Sequence, residues 1–469
     1  MIPKNLFLWT NQFDQPCIDI CPEIKLEKCY DMTIPYGDFV PSVKDFFKIQ
    51  RLDNGQPKRI NVTEEVLIFL SYQLKNATTS FQQESSNEET MKILSELFWA
   101  LRNCSTSPQT QNYIVEKTDI SVSVVRLFEC VKKQQKFVQI ILQFLLNLIS
   151  ANRTTTETIH NRFFYYIKKF ISEKIFVYEC SALVYNISLF VTLCDIETLE
   201  MIFDLNDSEH QNEFMCFYLE SCVSKPEFWN IYEGLKVENR LKILEIQNQM
   251  QIQNNPHSLP DCGLNILINN FLKSGETVVQ AYMEDGLKAH EISLILEILS
   301  SISSREEYLS KLQNSKDILI NAGVWLINVH RLGKTSDNCF TPVQKLSECD
   351  SISGDIGRHP AFGFKADLVR LIGNLCWKNT QLQDLARTAE IIPIILDCCN
   401  MDTKNPFIMQ WCILAIRNLC ENNPDNQKMI AGLHQNGTVS SEILEEMGIN
   451  LQSDNEGHLK IVSLDSLRQ

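Results

Sequence analysis

The chain carries 17 cysteines and eight histidines, the side chains best suited to metal binding and to nucleophilic or redox chemistry. Their spacing favours none of these. No CxxC pair occurs; Cys17 and Cys21 are four apart, Cys398 and Cys399 are adjacent, and neither arrangement has zinc-finger spacing. The histidines are scattered without an HExxH pattern, and no GxSxG elbow is present. Gly333-Lys334-Thr335 reads like the end of a phosphate-binding loop. That loop needs a glycine five positions before Gly333, where Asn328 stands, and a preceding strand, where Ile318 to Leu332 reads as an apolar helix. Gly354, Gly357 and Gly363 do not form GxGxxG and fit a long loop that uses positive φ. The expectation is no enzyme: no catalytic residue, no metal and no cofactor. Most cysteines fall in apolar helical patterns, where the thiol behaves as a small hydrophobe.

One polar residue recurs in a fixed apolar setting. LFWALRNC at 97–104, ILQFLLNL at 141–148, CSALVYNI at 180–187, LVRLIGNL at 368–375 and CILAIRNL at 412–419 align on Asn103, Asn147, Asn186, Asn374 and Asn418. The positions six, three and two before each asparagine, and one after it, are always apolar, an i, i+3, i+4, i+7 stripe that buries one face of a helix. A sixth copy, ILEILSSI at 295–302, has Ser301 in the asparagine position. The asparagine sits at the edge of the stripe, and two roles are open to it. It can bond to backbone of its own or a neighbouring repeat and fix the stack. Alternatively, a ladder of amides can hold the backbone of an extended peptide, because an amide both donates and accepts. Trp99, four residues before Asn103, shares its face, an arrangement that resembles the peptide-binding ladder of importin-α proteins. The other repeats carry Gln143, Ala182, Arg370 and Leu414 at that position, so the ladder is not sustained. Arg370 and Arg417 are candidate interface anchors, or else members of a solvated face paired with Asp367 or Glu421. The candidate protein-binding face is therefore Trp99, Asn103, Asn147, Asn186, Arg370, Asn374, Arg417 and Asn418.

The spacing of the asparagines says what positions them. It is 44 residues from Asn103 to Asn147, 39 to Asn186, and 44 from Asn374 to Asn418. Periods of about 40–47 residues belong to armadillo and HEAT arrays. A polar turn follows each asparagine, then a helix with an apolar anchor at Ile114, Ile159, Leu385 or Ile430. Asn405-Pro406 reads as the start of a third helix. The expected fold is an all-α, right-handed armadillo/HEAT-like solenoid, a single elongated domain with a degenerate middle. Its parts are a divergent N-terminal region and cap (1–90), armadillo-like repeats (91–204), degenerate helical repeats (205–333), a long loop (334–361), C-terminal repeats (362–450) and a polar tail (451–469).

Composition agrees and removes other classes. Of 469 residues, 44% are apolar and 22% charged, the mix of a folded chain. Only 16 glycines and 15 prolines argue against a turn-rich all-β fold. Against 43 Lys and Arg stand 58 Asp and Glu, a net charge of −15. With no basic run longer than two, nucleic acid and acidic lipid are poor partners, whereas basic proteins suit the charge. No apolar segment is long enough to span a membrane, and Leu6 to Trp9 is too short for a signal-peptide core. The expected location is the cytosol or nucleus, with reduced thiols.

FGFKADLVRLIGNLCWKN at 362–379, IIPIILDCCNMD at 391–402 and NPFIMQWCILAIRNLCENNPDNQKMIAGL at 405–433 together resemble the C-terminal domain of the ataxin-10 family. The close resemblance covers 361–433 and weakens back to about Glu291; the N-terminal half shares only generic repeat character. The resemblance implies an armadillo-like interaction protein without catalytic activity, cytoplasmic, perinuclear or at the midbody. It implies roles in cytokinesis, neuronal survival and neurite outgrowth. It implies, as partners, a heterotrimeric G-protein β subunit and the O-linked N-acetylglucosamine transferase. The leading expectation is a scaffold that binds proteins; the alternative is a transport-type adaptor holding basic peptides in its groove. An end repeat without a polar cap could also pair with a second copy as a homo-oligomer.

Overall fold

The computed structural model describes residues 62–85, 87–105, 107–130, 136–206, 212–252, 259–274, 286–335, 337–343, 359–433, 449–453 and 459–463. The chain forms two compact units, residues 1–222 and 223–469. The first holds α1 (Glu64–Gln83), α2 (Glu88–Cys104), α3 (Pro108–Lys117), α4 (Ile120–Cys130), α5 (Lys136–Ile149), α6 (Arg153–Ser172), α7 (Val177–Ser188) and α8 (Ile196–Asn206). It ends within α9 (Glu213–Val223). The second holds α10 (Pro226–Trp229), α11 (Val237–Ile252), α12 (Asp261–Lys273), α13 (Gly286–Ile302), α14 (Glu306–Gln313) and α15 (Lys316–Thr335). It continues with α16 (Phe364–Leu375), α17 (Thr380–Thr388), α18 (Ile391–Asp397), α19 (Ile408–Cys420) and α20 (Pro424–Ala431). The expected all-α stack of repeats is present. The one exception among the described residues is an antiparallel hairpin, β1 (Ile449–Ser453) and β2 (Leu459–Ser463), paired from Ile449↔Ser463 to Ser453↔Leu459. It occupies much of the segment read as a polar tail.

The striped helices are the spine of each unit. In the first, α5 packs between α2 and α7; in the second, α16 packs between α13 and α19. Every stripe residue of α2, α5, α7, α13 and α16 is buried. In α19 Cys412, Ala415 and Leu419 are buried, but Ile416 is only half-buried, because no further striped helix follows α19 among the described residues. Gly373 lets α16 and α19 approach closely: a Cβ there would stand 2.8 Å from Ala415 Cα.

The helices also explain the spacings. Asn103 to Asn147 and Asn374 to Asn418 each contain two short helices and then a striped one, α3–α4–α5 and α17–α18–α19. The 39-residue interval contains a single 20-residue helix, α6, in place of the short pair. From Ser301 to Asn374 the described helices are again three, α14, α15 and α16; of the expected long loop between the last two, residues 344–358 lie outside the described residues. The loop's near end is strapped to the following repeat: Lys365, buried, donates to Phe340 O at 3.2 Å, and Thr403 N donates to Val343 O at 3.0 Å. Of the expected anchors, Ile114 and Ile159 are core, while Leu385 and Ile430 are half-buried.

After the asparagine the chain makes the same turn three times. Ala151, Lys378 and Asn422 hold left-handed φ of 54°, 52° and 55°. The next residues, Asn152, Asn379 and Asn423, cap the following helix by accepting from the N–H of Thr155, Leu382 and Asn426. Asn405 departs from the expected N-cap. Helix α19 starts later, at Ile408, and Asn405 instead caps α16 of the preceding repeat, accepting from Lys365 N at 2.9 Å and Ala366 N at 3.3 Å. Gly363, the local cap position of α16, has no side chain to do this.

Four residues past two caps, Ser107 of α3 and Asn379 of α17, a buried glutamine reaches into the next repeat. The Nε2 of Gln111 donates to Ser105 O, Asn147 O and Ser150 O at 3.3, 2.8 and 3.4 Å. The Nε2 of Gln383 donates to Cys376 O, Asn418 O and Glu421 O at 3.2, 2.8 and 3.2 Å. The last carbonyls of a helix have no partner of their own, so one amide closes two helix ends from adjacent repeats. In α20 the corresponding residue, Gln427, makes the own-repeat bond alone among the described residues, to Cys420 O at 2.7 Å, and is exposed. Gln383→Leu strands buried carbonyls, and we expect it to cost about 2–4 kcal/mol in urea denaturation. The exposed counterpart Gln427→Leu should change stability by less than about 0.5 kcal/mol. Equal effects would refute the clasp.

Candidate functional site

The repeat asparagines do not share one fate. Asn147 Nδ2 donates to Arg102 O at 2.9 Å, and Asn418 Nδ2 to Gly373 O at 3.0 Å, in each case the residue just before the previous repeat's asparagine. Asn374 reaches Ser303 Oγ at 2.9 Å. Asn186 turns back onto Ala182 O of its own helix at 2.8 Å. Asn103 Nδ2 is enclosed without an acceptor among the described residues. Three of the amides thus tie neighbouring repeats together, and Asn374 and Asn418 are buried.

Around them the exposed chemistry differs between units. In the first, Arg102 lies over the half-buried Trp99 ring, 5.7 Å from its centroid, and donates to Gln143 Oε1 at 2.7 Å. Gln143, which stands where a second rung would carry tryptophan, is thereby spent between repeats. In the second unit, Arg370 stacks on Trp411 at 4.7 Å, and its Nε is enclosed without a hydrogen bond. Arg417 is exposed, as is Trp377, whose ring carries Lys378 at 4.3 Å.

Asp367 joins this second cluster. Its Oδ1 accepts from Ser300 Oγ at 2.9 Å, linking α16 to α13. Burial pushes its carboxyl from the ordinary 3.8 up to about 7; the Ser300 bond and the Arg370 charge resist the rise, and Glu297 adds to it. Burial also pulls the Arg370 guanidinium below its ordinary value. No Arg370–Asp367 ion pair forms within salt-bridge reach among the described residues.

A thiol–imidazole–carboxylate line occurs elsewhere in the second unit. His330 Nε2 lies 2.8 Å from Asp397 Oδ2, and its Nδ1 lies 3.2 Å from Cys398 Sγ. Burial pushes the Cys398 thiol up to about 12, so it stays protonated and is a poor nucleophile. Lys334, of the Gly-Lys-Thr tripeptide, lies in the last turn of α15 and bonds Asp397. His330 and Cys398 stand 68 residues apart, and no local motif announces the pair. Among the described residues no cluster of three or more His, Cys, Asp or Glu could hold a metal, and no helix is long and apolar enough to cross a membrane.

Known proteins are similar to this chain in sequence. The spinocerebellar ataxia type 10 protein domain matches residues 364–462, from the first residue of α16 into β2. Ataxin-10 of Homo sapiens is 27% identical over 437 residues, covering 87% of this chain and 90% of its own. The C-terminal part of the chain thus carries the ataxin-10 family domain, and most of the chain is similar to ataxin-10. Ataxin-10 of Xenopus tropicalis is 39% identical over 173 residues, which are 37% of this chain and 34% of that protein. An ataxin-10 homolog of Dictyostelium discoideum is 41% identical over 98 residues. The human alignment extends the similarity well into the N-terminal half, where the sequence shows generic repeat character only. The family domain also runs on through the hairpin, beyond the close resemblance at 361–433.

The Asp367 carboxyl gives a pH prediction. Its folded value lies above its unfolded one, so the folded state binds the proton more tightly. The second unit is then most stable below pH 4 with respect to this group and loses stability as pH rises from about 4 to about 7. A shift of about three units is worth at most about 4 kcal/mol. Asp367→Asn should flatten that slope and be the more stable form at pH 8 in urea titrations. A parallel pH dependence in wild type and variant would show that the carboxyl is solvated.

Proposed function

We propose that this chain is a non-enzymatic scaffold that binds partner proteins through the exposed surfaces of its helical repeats, and that the C-terminal end of the second unit is one such surface. One observation carries the reading. The last striped helix among the described residues, α19, turns large apolar side chains to solvent: Ile413 is 63% exposed, Phe407 at its N-cap 70%, and Met409 is exposed too, as is Leu433 just past α20. Beside them Gln427, among the described residues, bonds to its own repeat alone. A scatter of single apolar residues is ordinary on a surface, but a row on the end helix of a stack is where a further element would pack.

A second copy of this chain is the first partner that such an end suits, and homo-association is part of the name of the matching domain. The resemblance to ataxin-10 supports, as further proposed partners, a G-protein β subunit and the O-linked N-acetylglucosamine transferase, in a cytoplasmic setting of cytokinesis, neuronal survival and neurite outgrowth. The basic-peptide adaptor draws less support, because Asn147 and Asn418 spend their amide donors inside the stack and Arg102 covers Trp99.

Sedimentation velocity of the wild-type chain, from about 1 to 100 µM, tests self-association. We expect concentration-dependent oligomers that strengthen with salt, because two copies at −15 repel one another. Ile413→Asp should be monomeric with an unchanged melting midpoint, since its side chain is exposed in the single chain. A wild-type chain that stays monomeric throughout would remove this surface from the proposal. Affinity capture comparing wild type with Ile413→Asp and Arg417→Glu then asks which partners need this end.

A further inference from the structure

The thiols of this chain are not equivalent. Cys104 at the end of α2 and Cys376 just after α16 are buried, and burial pushes each up to about 12. Cys398 faces a histidine. Cys194 and Cys222 face each other instead, with Sγ atoms 3.9 Å apart. Cys194 lies half-buried in the irregular segment between α7 and α8, and Cys222 is buried near the end of α9. Both belong to the first unit.

The surroundings hold the pair together. The Tyr218 hydroxyl, one turn before Cys222 on the same helix, donates to Leu193 O at 2.5 Å. Leu193 is buried, and Cys222 Sγ lies 3.9 Å from the same carbonyl. Downstream, Asp195 Oδ1 accepts from Thr198 N at 2.9 Å and starts α8. The segment is thus fastened on both sides of Cys194, and its sulfur is directed at α9. A disulfide requires about 2.05 Å between sulfurs, so the two must close by roughly 1.9 Å. One partner is on an irregular segment rather than a helix, so that movement does not have to distort regular structure.

We propose that Cys194 and Cys222 form a reversible intramolecular disulfide, a redox modification site that staples the α7–α8 connection to α9. The reaction is thiol–disulfide exchange with a small external disulfide such as oxidised glutathione. The Cys194 thiol, the more accessible, gives up its proton, and its thiolate attacks one sulfur of the external disulfide. A mixed disulfide forms and one glutathione thiolate leaves. The Cys222 thiol then loses its proton, its thiolate attacks Cys194 Sγ, and the second glutathione thiolate leaves. Two protein thiols are oxidised by two electrons, and one external disulfide is reduced to two thiols that take up the two protons. The closed loop spans 28 positions, long enough for the cross-link to restrict the unfolded chain substantially.

The test uses the full-length chain under native conditions. It is equilibrated with defined ratios of reduced to oxidised glutathione, alkylated, digested and analysed by mass spectrometry. The expected product is a peptide pair joined through Cys194 and Cys222, formed ahead of any other pairing and reversed by dithiothreitol. Oxidation should raise the melting midpoint by roughly 5–10 °C. Cys194→Ser should remove both the cross-link and the shift; if that variant misfolds, the wild-type mass spectrum still decides. Glutathione adducts at either cysteine without the internal cross-link, or full alkylation of both thiols under oxidising ratios, would overturn the proposal.

Discussion

The constraint behind this architecture is the backbone carbonyl at the end of a helix. A repeat built from short helices multiplies helix ends, and each end leaves carbonyls that the helix itself cannot satisfy. Here those groups are buried between repeats, where water cannot reach them, and side-chain amides take its place. Gln111 and Gln383 each join their own repeat to the next, and Asn152 and Asn423 hold those glutamines in turn, donating to their Oε1 atoms at 2.9 and 3.2 Å. The apolar stripes supply most of the driving force for stacking. The amides set the register, because an apolar face alone tolerates small slips and a fixed set of donors and acceptors does not.

Much of the spine is visible in the sequence because its signal is local. The stripe around Asn374 needs only one turn of helix on either side to declare which face is buried. The roles of Gln383 and Asn405 are invisible for the opposite reason. Each acts on a helix end about 35–40 residues away, and each is a common polar residue in an ordinary turn or helix. Helix α11 is missed for a third reason. It packs against α13 much as a striped helix would, yet Asn239, Gln247 and Gln251 are buried alongside Leu241, Ile243 and Leu244, which blurs its apolar period. The hairpin from Ile449 to Ser463 follows a long polar stretch and has only short alternating segments to announce it.

The candidate binding face is legible in a similarly uneven way. The asparagines stand out as a pattern, but a pattern of residue types does not say where an amide points. Asn147 and Asn186 have the same apolar setting, yet one bonds across repeats and the other along its own helix. Outside the stripe stand Phe407, Ile413 and Arg417, exposed on or beside the last striped helix, and Arg370 resting on Trp411. Asp367 emerges only when α13 and α16 are brought together and its carboxyl loses water.

The shared amides also decide where this molecule can be divided. The family domain begins at Phe364, an attractive place to cut a fragment for study. That cut would keep α16 but discard Ser303, the acceptor for Asn374, and Gln313, whose amide holds Leu375 O and Trp377 O at 2.9 Å each. It would also uncover the face that α16 presents to α13 and α15. A boundary drawn from similarity is therefore not a boundary of autonomous folding. A fragment meant to stand alone must reach back at least through α13, so that it carries the donors and acceptors its first striped helix borrows from upstream.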